Sequence, residues 1–211
     1  MTEYQKTSLA YLHHSQYIDH HIINLTHALP PARRRAVEQL VKEFVNCVPD
    51  KLNEVQRVQL LYAVLTQDIT YRLTETGATQ YSYLQPLLQR TGVCQGIAEL
   101  FFILAQPLGI QARIITGVAG SEVNLHAWNM VRLPLNGTVR WYHLDATWDL
   151  NHPSWQYFLK GDTYMGAHRH EWLPDTYPSA PANAPPLPPL NNIGIQKLIR
   201  YLDTLREKVK Q

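Results

Sequence analysis

Cysteine is scarce in this chain: Cys47 and Cys94 are the only two in 211 residues. Two are too few for a secreted fold stapled by disulfides, so the core must come from apolar packing, which a chain of this length can supply. If Cys94 is a free thiol, Cys47 has no obligatory partner, and a reducing, cytoplasmic compartment is the simpler expectation. Long hydrophobic runs are missing as well. No apolar stretch reaches 18 residues, and the N-terminal MTEYQKTSLAYLHHSQYIDHH lacks a basic head followed by an apolar core, so neither a membrane span nor a signal peptide is expected. Charge of one sign is also absent: 19 Lys and Arg against 17 Asp and Glu leave net +2, interspersed, with no surface to steer nucleic acid. The tight cluster Arg33, Arg34, Arg35 follows Pro30-Pro31 and reads as the solvated start of a helix. There is no CxxC pair and no HExxH, so no metal or cofactor is expected.

What is present is a set of three chemistry-bearing residues in order. Cys94, His126 and Asp145 lie in GVCQGIAELFFILAQPLGI, HAWNMV and WYHLDATW. The run from Val93 to Gln106 predicts a helix, with Ile97, Leu100, Phe101, Leu104 and Leu108 recurring at three- and four-residue spacing and Pro107 with Gly109 closing it. Cys94 then falls in the first turn, where unpaired backbone N–H groups and the positive end of the helix dipole favour a thiolate. The same N–H groups, that of Gln95 included, are candidate donors to an oxyanion. Gly96 leaves room for a substrate backbone or a close partner strand.

Hairpin arithmetic relates the other two. His126 to Leu133 and Val139 to Thr147 are rich in aromatic and β-branched residues, with Pro134, Asn136 and Gly137 between them. A two-residue Asn136-Gly137 turn makes paired positions sum to 273, which places His126, Trp128, Asp145 and Thr147 on one face. A slip of one residue would separate His126 from Asp145. Thiolate, imidazole and orienting carboxylate are the three parts that acyl transfer through sulfur requires.

These motifs, with LLYAVLTQDITYRL upstream and YFLKGDTYMGAHRHEWLPDTYP downstream, resemble the transglutaminase-like superfamily of cysteine acyltransferases and proteases over roughly residues 55–178. The resemblance implies an α+β, papain-like core: the catalytic Cys opens a central helix packed on an antiparallel sheet that carries His and Asp. It implies Cys94 as nucleophile, His126 as general base and acid, and Asp145 as the carboxylate that orients His126. Papain-like proteases usually complete such a site with Asn and carry a CGSCW-like stretch, absent here. Arylamine N-acetyltransferases place a basic, Gly-rich stretch before the Cys, which Leu88 to Gly92 do not match.

Gln89, Tyr71 and Tyr83 are candidates by type for a second oxyanion donor, and Trp128, Trp141 and Trp148 for a substrate wall or for packing. A zinc set of Cys94, His126, His143 and Asp145 is geometrically allowed but unsupported by motif, and His143 reads more simply as a polar neighbour. The function expected is thiol-dependent acyl transfer on peptide or glutamine-type amides, with hydrolysis slightly ahead of cross-linking. The partner is then a protein or peptide substrate, with no nucleic acid and no membrane. The competing reading is a catalytically inactive peptide-binding module of the same fold.

The expected organisation is an N-terminal helical region over 1–50, a catalytic core over 51–173, a Pro-rich strap over 174–190 and a C-terminal amphipathic helix over 191–211. Within the first region, helices are expected over 3–28 and 32–47, followed by one over 53–70. His13, His20 and His27 repeat every seven residues, a spacing read as a solvated or interfacial face. Between Pro174 and Pro189 seven of sixteen residues are proline, which excludes regular helix and sheet. The terminal helices are the candidates for self-association.

Overall fold

A computed structural model describes residues 29–73, 81–152, 154–190 and 192–210. The helix expected over 3–28, with its histidine stripe, lies outside them. In chain order the elements are α1 (Pro31–Asn46), α2 (Glu54–Asp68), β1 (Thr70–Tyr71), α3 (Leu84–Gln89), β2 (Thr91–Gly92) and α4 (Cys94–Ala105). They continue with β3 (Gln111–Ala119), β4 (Asn124–Leu135), β5 (Thr138–Leu144), β6 (Phe158–Lys160), α5 (Asp162–Ala167), β7 (His170–Glu171) and α6 (Asn192–Lys210). The helices expected over 32–47 and 53–70 are thus α1 and α2. A capping box, Asn53 with Gln56, starts α2 by satisfying donors at both ends of that turn.

The main sheet has the order β6-β5-β4-β3-β7, antiparallel throughout. Its central hairpin has the predicted register: Leu135 faces Thr138 and Asn129 faces Leu144. Asn136 and Gly137 both have positive φ, 51° and 75°, as a two-residue turn that follows strand twist requires. One boundary differs. β5 ends at Leu144 rather than Thr147, and Asp145 instead donates its backbone N–H to the carbonyl of Tyr157 at 3.1 Å. The strand is released there because Asp149 turns the following loop back: its carboxylate accepts the N–H groups of Gln156 and Tyr157 at 2.8 and 2.9 Å.

Period two splits β4 between two cores. Ala127, Val131 and Leu133 join the aliphatic core made with α1 to α4 and α6, and Asn129 caps the carbonyl of Ala98 on α4 at 3.0 Å. Trp128 and Met130 face the other side and join Ile115, Tyr157, Met165 and Ala180. This second core is covered by α5 and by the Pro-rich segment, which is a fastened strap. Ala184 donates to Leu159 O at 2.9 Å, Gly161 N–H to Asn183 Oδ1 at 2.8 Å, and Gln59 to Pro188 O at 3.1 Å. A single 3-10 turn, Pro174–Thr176, interrupts its extended course.

Helix α6 folds back on α1 and α2. Its Arg206, nearly fully buried, donates to the carbonyl of Leu87 at 2.6 Å and pairs with the buried carboxylate of Asp68. A buried guanidinium is tolerable only with such partners. Among the described residues no helix is long and apolar enough to cross a membrane.

Candidate active site

Cys94 is the first residue of α4, with Val93 as its N-cap. Valine has no side-chain oxygen, so it leaves the first-turn N–H groups to other partners. The helix start is drawn tight against the loop before α3. A Cβ on Gly96 would sit 2.8 Å from the carbonyl oxygen of Ser82, so the glycine makes room for that loop rather than for a strand. Glu99, one turn into α4, accepts the Tyr83 N–H at 2.9 Å and the Gln95 amide at 3.0 Å. Burial pushes the Glu99 carboxyl up to about 7, against those two donors.

Cys94 and His126 both line a cavity of about 290 Å³ whose other walls include Tyr71, Ser121, Glu122, Leu125, Thr147 and Trp148. His126 Nε2 lies 2.7 Å from Asp145 Oδ2, and both residues are buried. Burial disfavours the His126 cation, but the charge and hydrogen bond of Asp145, joined by the Cys94 side chain, outweigh it and raise its proton affinity. Burial would raise the Asp145 carboxyl. The charge of His126 and hydrogen bonds from His126 and His170 reverse that and hold it well below the usual carboxylate range. With Nε2 taken by Asp145, Nδ1 is the ring nitrogen left for Cys94. Trp148 N–H donates to Asp145 Oδ1 at 3.2 Å, and Tyr62 Oη lies 2.8 Å from the Asp145 carbonyl oxygen.

The remaining expected residues divide. Tyr71 lines the cavity with Cys94, 53% exposed; burial and then the Cys94 charge raise its phenol. It reaches this place because β1 pairs in parallel with β2, Tyr71 against Gly92. Gln95 has its side chain bound to Glu99. Gln89 is exposed at the end of α3 and Tyr83 is buried in the aliphatic core, and neither lines the cavity. Trp128 is 1% exposed and stacks at 5.8 Å on His126, so it supports the imidazole from beneath while Trp148 forms cavity wall.

The zinc set with His143 is not assembled. Trp128 donates its indole N–H to His143 Nδ1 at 3.0 Å, so Nε2 carries the hydrogen, donated to Asp162 at 2.9 Å. Burial, opposed by Asp162, lowers the proton affinity of His143. Among the described residues, the metal-type donors that do converge, all within 4.8 Å, are those of His126, Asp145 and His170. Both imidazoles stand at hydrogen-bond distance, 2.7 and 2.9 Å, from the same oxygen of Asp145, an arrangement that protons satisfy without an ion. His170 carries no spacing signal: it lies 25 residues beyond Asp145 on a two-residue strand, and only the pairing of β7 with β3 brings it here.

Residues 38–146, just over half of the chain and including Cys94, His126 and Asp145, match the transglutaminase-like superfamily. The chain belongs to that superfamily, whose members are typically cysteine enzymes. Solved structures similar to it include a candidate cysteine protease from Cytophaga hutchinsonii, at 23% identity and TM-score 0.39 over 60% of this chain and 42% of that one. Another is described as a TGase, at 16% identity and TM-score 0.46 over 75% of this chain and 42% of that one. The chain thus spans about two fifths of the length of each. No curated protein matches it.

Proposed function

We propose that this protein is a thiol-dependent acyl-transfer enzyme acting on peptide or glutamine-type amide bonds, with hydrolysis favoured over amine transfer. The observation that carries the reading is that Cys94, at a helix N-terminus, shares one cavity with His126, whose far nitrogen is held by the buried Asp145. His126 takes the thiol proton as Cys94 attacks the carbonyl carbon, and backbone N–H groups of the first turn of α4, with the Tyr71 hydroxyl as candidate second donor, hold the oxyanion. His126 returns the proton to the leaving amine, and a thioester on Cys94 remains. Asp145 keeps His126 in the tautomer that can do both. Water then attacks the thioester with His126 as base, releasing the acid and the free thiol.

Hydrolysis is favoured because amine transfer needs an acceptor channel that keeps water out. Tyr71 and Leu125, on the cavity wall, are about half exposed, which supports access by water.

Alkylation tests the reading. Cys94 should react with iodoacetamide fast well below pH 8, and His126→Ala should abolish that advantage. Equal, slow labelling of Cys94 and Cys47 would overturn catalysis and leave a peptide-binding module. Trapping the thioester from a lysate and weighing the acyl group by mass spectrometry would identify the substrate.

A further inference from the structure

His170 is a second imidazole on the carboxylate of Asp145. Its Nε2 lies 2.9 Å from Oδ2, the same oxygen that His126 bonds, and its Nδ1 lies 3.1 Å from the carbonyl oxygen of His168. Both of its partners can only accept while Asp145 is ionised, so both contacts are hydrogen bonds only if both ring nitrogens carry hydrogen. The ring is enclosed, 1% exposed, with ring centres of Trp148 at 4.4 Å, Trp128 at 5.2 Å, Tyr157 at 5.4 Å and His126 at 5.7 Å. The titratable groups that face or flank it are Asp145, His126, His143, Tyr157 and His168, together with Arg169 and Glu171 on its own strand segment. Backbone close approach places it there: Ala119 pairs with His170, and a Cβ on Gly117 would collide with the Glu171 carbonyl oxygen.

We propose that His170 is a positioning residue for the Cys94–His126 pair, a cationic imidazole that grips Asp145 Oδ2 and sets both the orientation of the carboxylate and the charge behind it. The proposal rests on the catalytic reading above. A carboxylate oxygen shared between two N–H donors cannot rotate away from His126 without breaking the second bond. A fixed positive charge there also makes Asp145 a weaker pull on His126, and it favours the Cys94 thiolate.

The test is the pH profile of Cys94 alkylation in the full chain, for the unaltered protein, His170→Gln and His170→Phe, each checked by thermal unfolding. The thiolate loses a nearby cation, so the acid limb should move to higher pH. His126 loses a nearby cation too, so the second inflection at higher pH, where the Cys94–His126 ion pair gives way to a free thiolate, should move the same way. Each shift is expected to be about one pH unit, the size of a partly screened charge a ring's width away. Gln, which retains a neutral donor, should keep more of the neutral-pH rate than Phe. A packing role alone would lower the rate and leave both inflections in place, and superimposable inflections overturn the proposal.

A measurement on the unaltered chain covers the case in which the variants do not fold. Nitrogen-15 imidazole spectra at neutral pH should give two protonated ring nitrogens for His170, and a single neutral tautomer overturns the proposal. If the unaltered Cys94 labels no faster than Cys47, the catalytic reading falls and takes this proposal with it. Fast Cys94 labelling with unmoved inflections removes His170 alone.

Discussion

The two faces of the central sheet solve different problems with adjacent residues of the same strands. Toward α4 the strands present Ala127, Val131, Leu133 and Leu144, and the core they enter is overwhelmingly aliphatic. Toward the strap they present His126, Trp128, Met130 and His143, beside Asp145 and His170. An aliphatic face contributes stability through buried area and tolerates any residue of similar volume. The imidazole-rich face must give its buried polar atoms partners, and it links Trp128 to His143 to Asp162, and His126 and His170 to Asp145. One sheet therefore carries an aliphatic side and an imidazole-rich, hydrogen-bonded side.

Substitutions can separate the two. The largest effect is expected for Cys94→Ala, which should abolish turnover and fast alkylation while leaving the unfolding midpoint nearly unchanged. Asp145→Asn should lower turnover by about 10²–10⁴-fold, as loss of a carboxylate that fixes a histidine tautomer does; activity within a few-fold of normal would remove Asp145 from the chemistry. On the aliphatic side, Leu104→Ala should cost about 2–5 kcal/mol in denaturant unfolding. It should leave the alkylation pH profile in place, and a moved profile would mean the faces are not separable. Trp128→Phe keeps the bulk but leaves His143 Nδ1 without its donor, at a cost of about 1–3 kcal/mol, and should also slow alkylation because His126 loses its stacked support.

The effect confined to one pH window concerns Glu99. Its folded proton affinity is raised, so the folded state holds a proton that the unfolded state has released. The stabilisation is complete below the ordinary carboxylate range near 4.5 and is lost as pH rises to about 7. Unfolding free energy should decline by about 2–3 kcal/mol over that window, and Glu99→Gln should flatten the decline. An equal loss of unfolding free energy between pH 5 and pH 7.5 in the unaltered protein and in Glu99→Gln would show that Glu99 does not titrate there.

Legibility in the sequence tracked how local the determinant was. The α4 periodicity and the Asn136-Gly137 turn lie within a dozen residues of what they specify, and both elements formed as read, with the hairpin in the expected register. The end of β5 could not be read, because it is set by Asp149 capturing N–H groups seven and eight residues on. His143 and His170 are each one histidine beside tryptophans in sequence. Only the fold separates them, by giving the first to Trp128 and Asp162 and the second to Asp145. Tyr83 and Tyr71 were equal candidates by type. Packing put one in the core, and the short β1–β2 pairing put the other on the cavity.

By itself the sequence determined the family resemblance and the local geometry of its parts. Cys94 opens a helix because the apolar period begins there, and His126 and Trp128 share a face because strands alternate. Tertiary structure decided which second histidine completes the surroundings of Asp145. It also made the C-terminal helix part of the body of the protein, by sealing Arg206 against Asp68. Contacts between residues 25 or 138 positions apart depend on the summed packing of everything between them, and no short pattern encodes that sum.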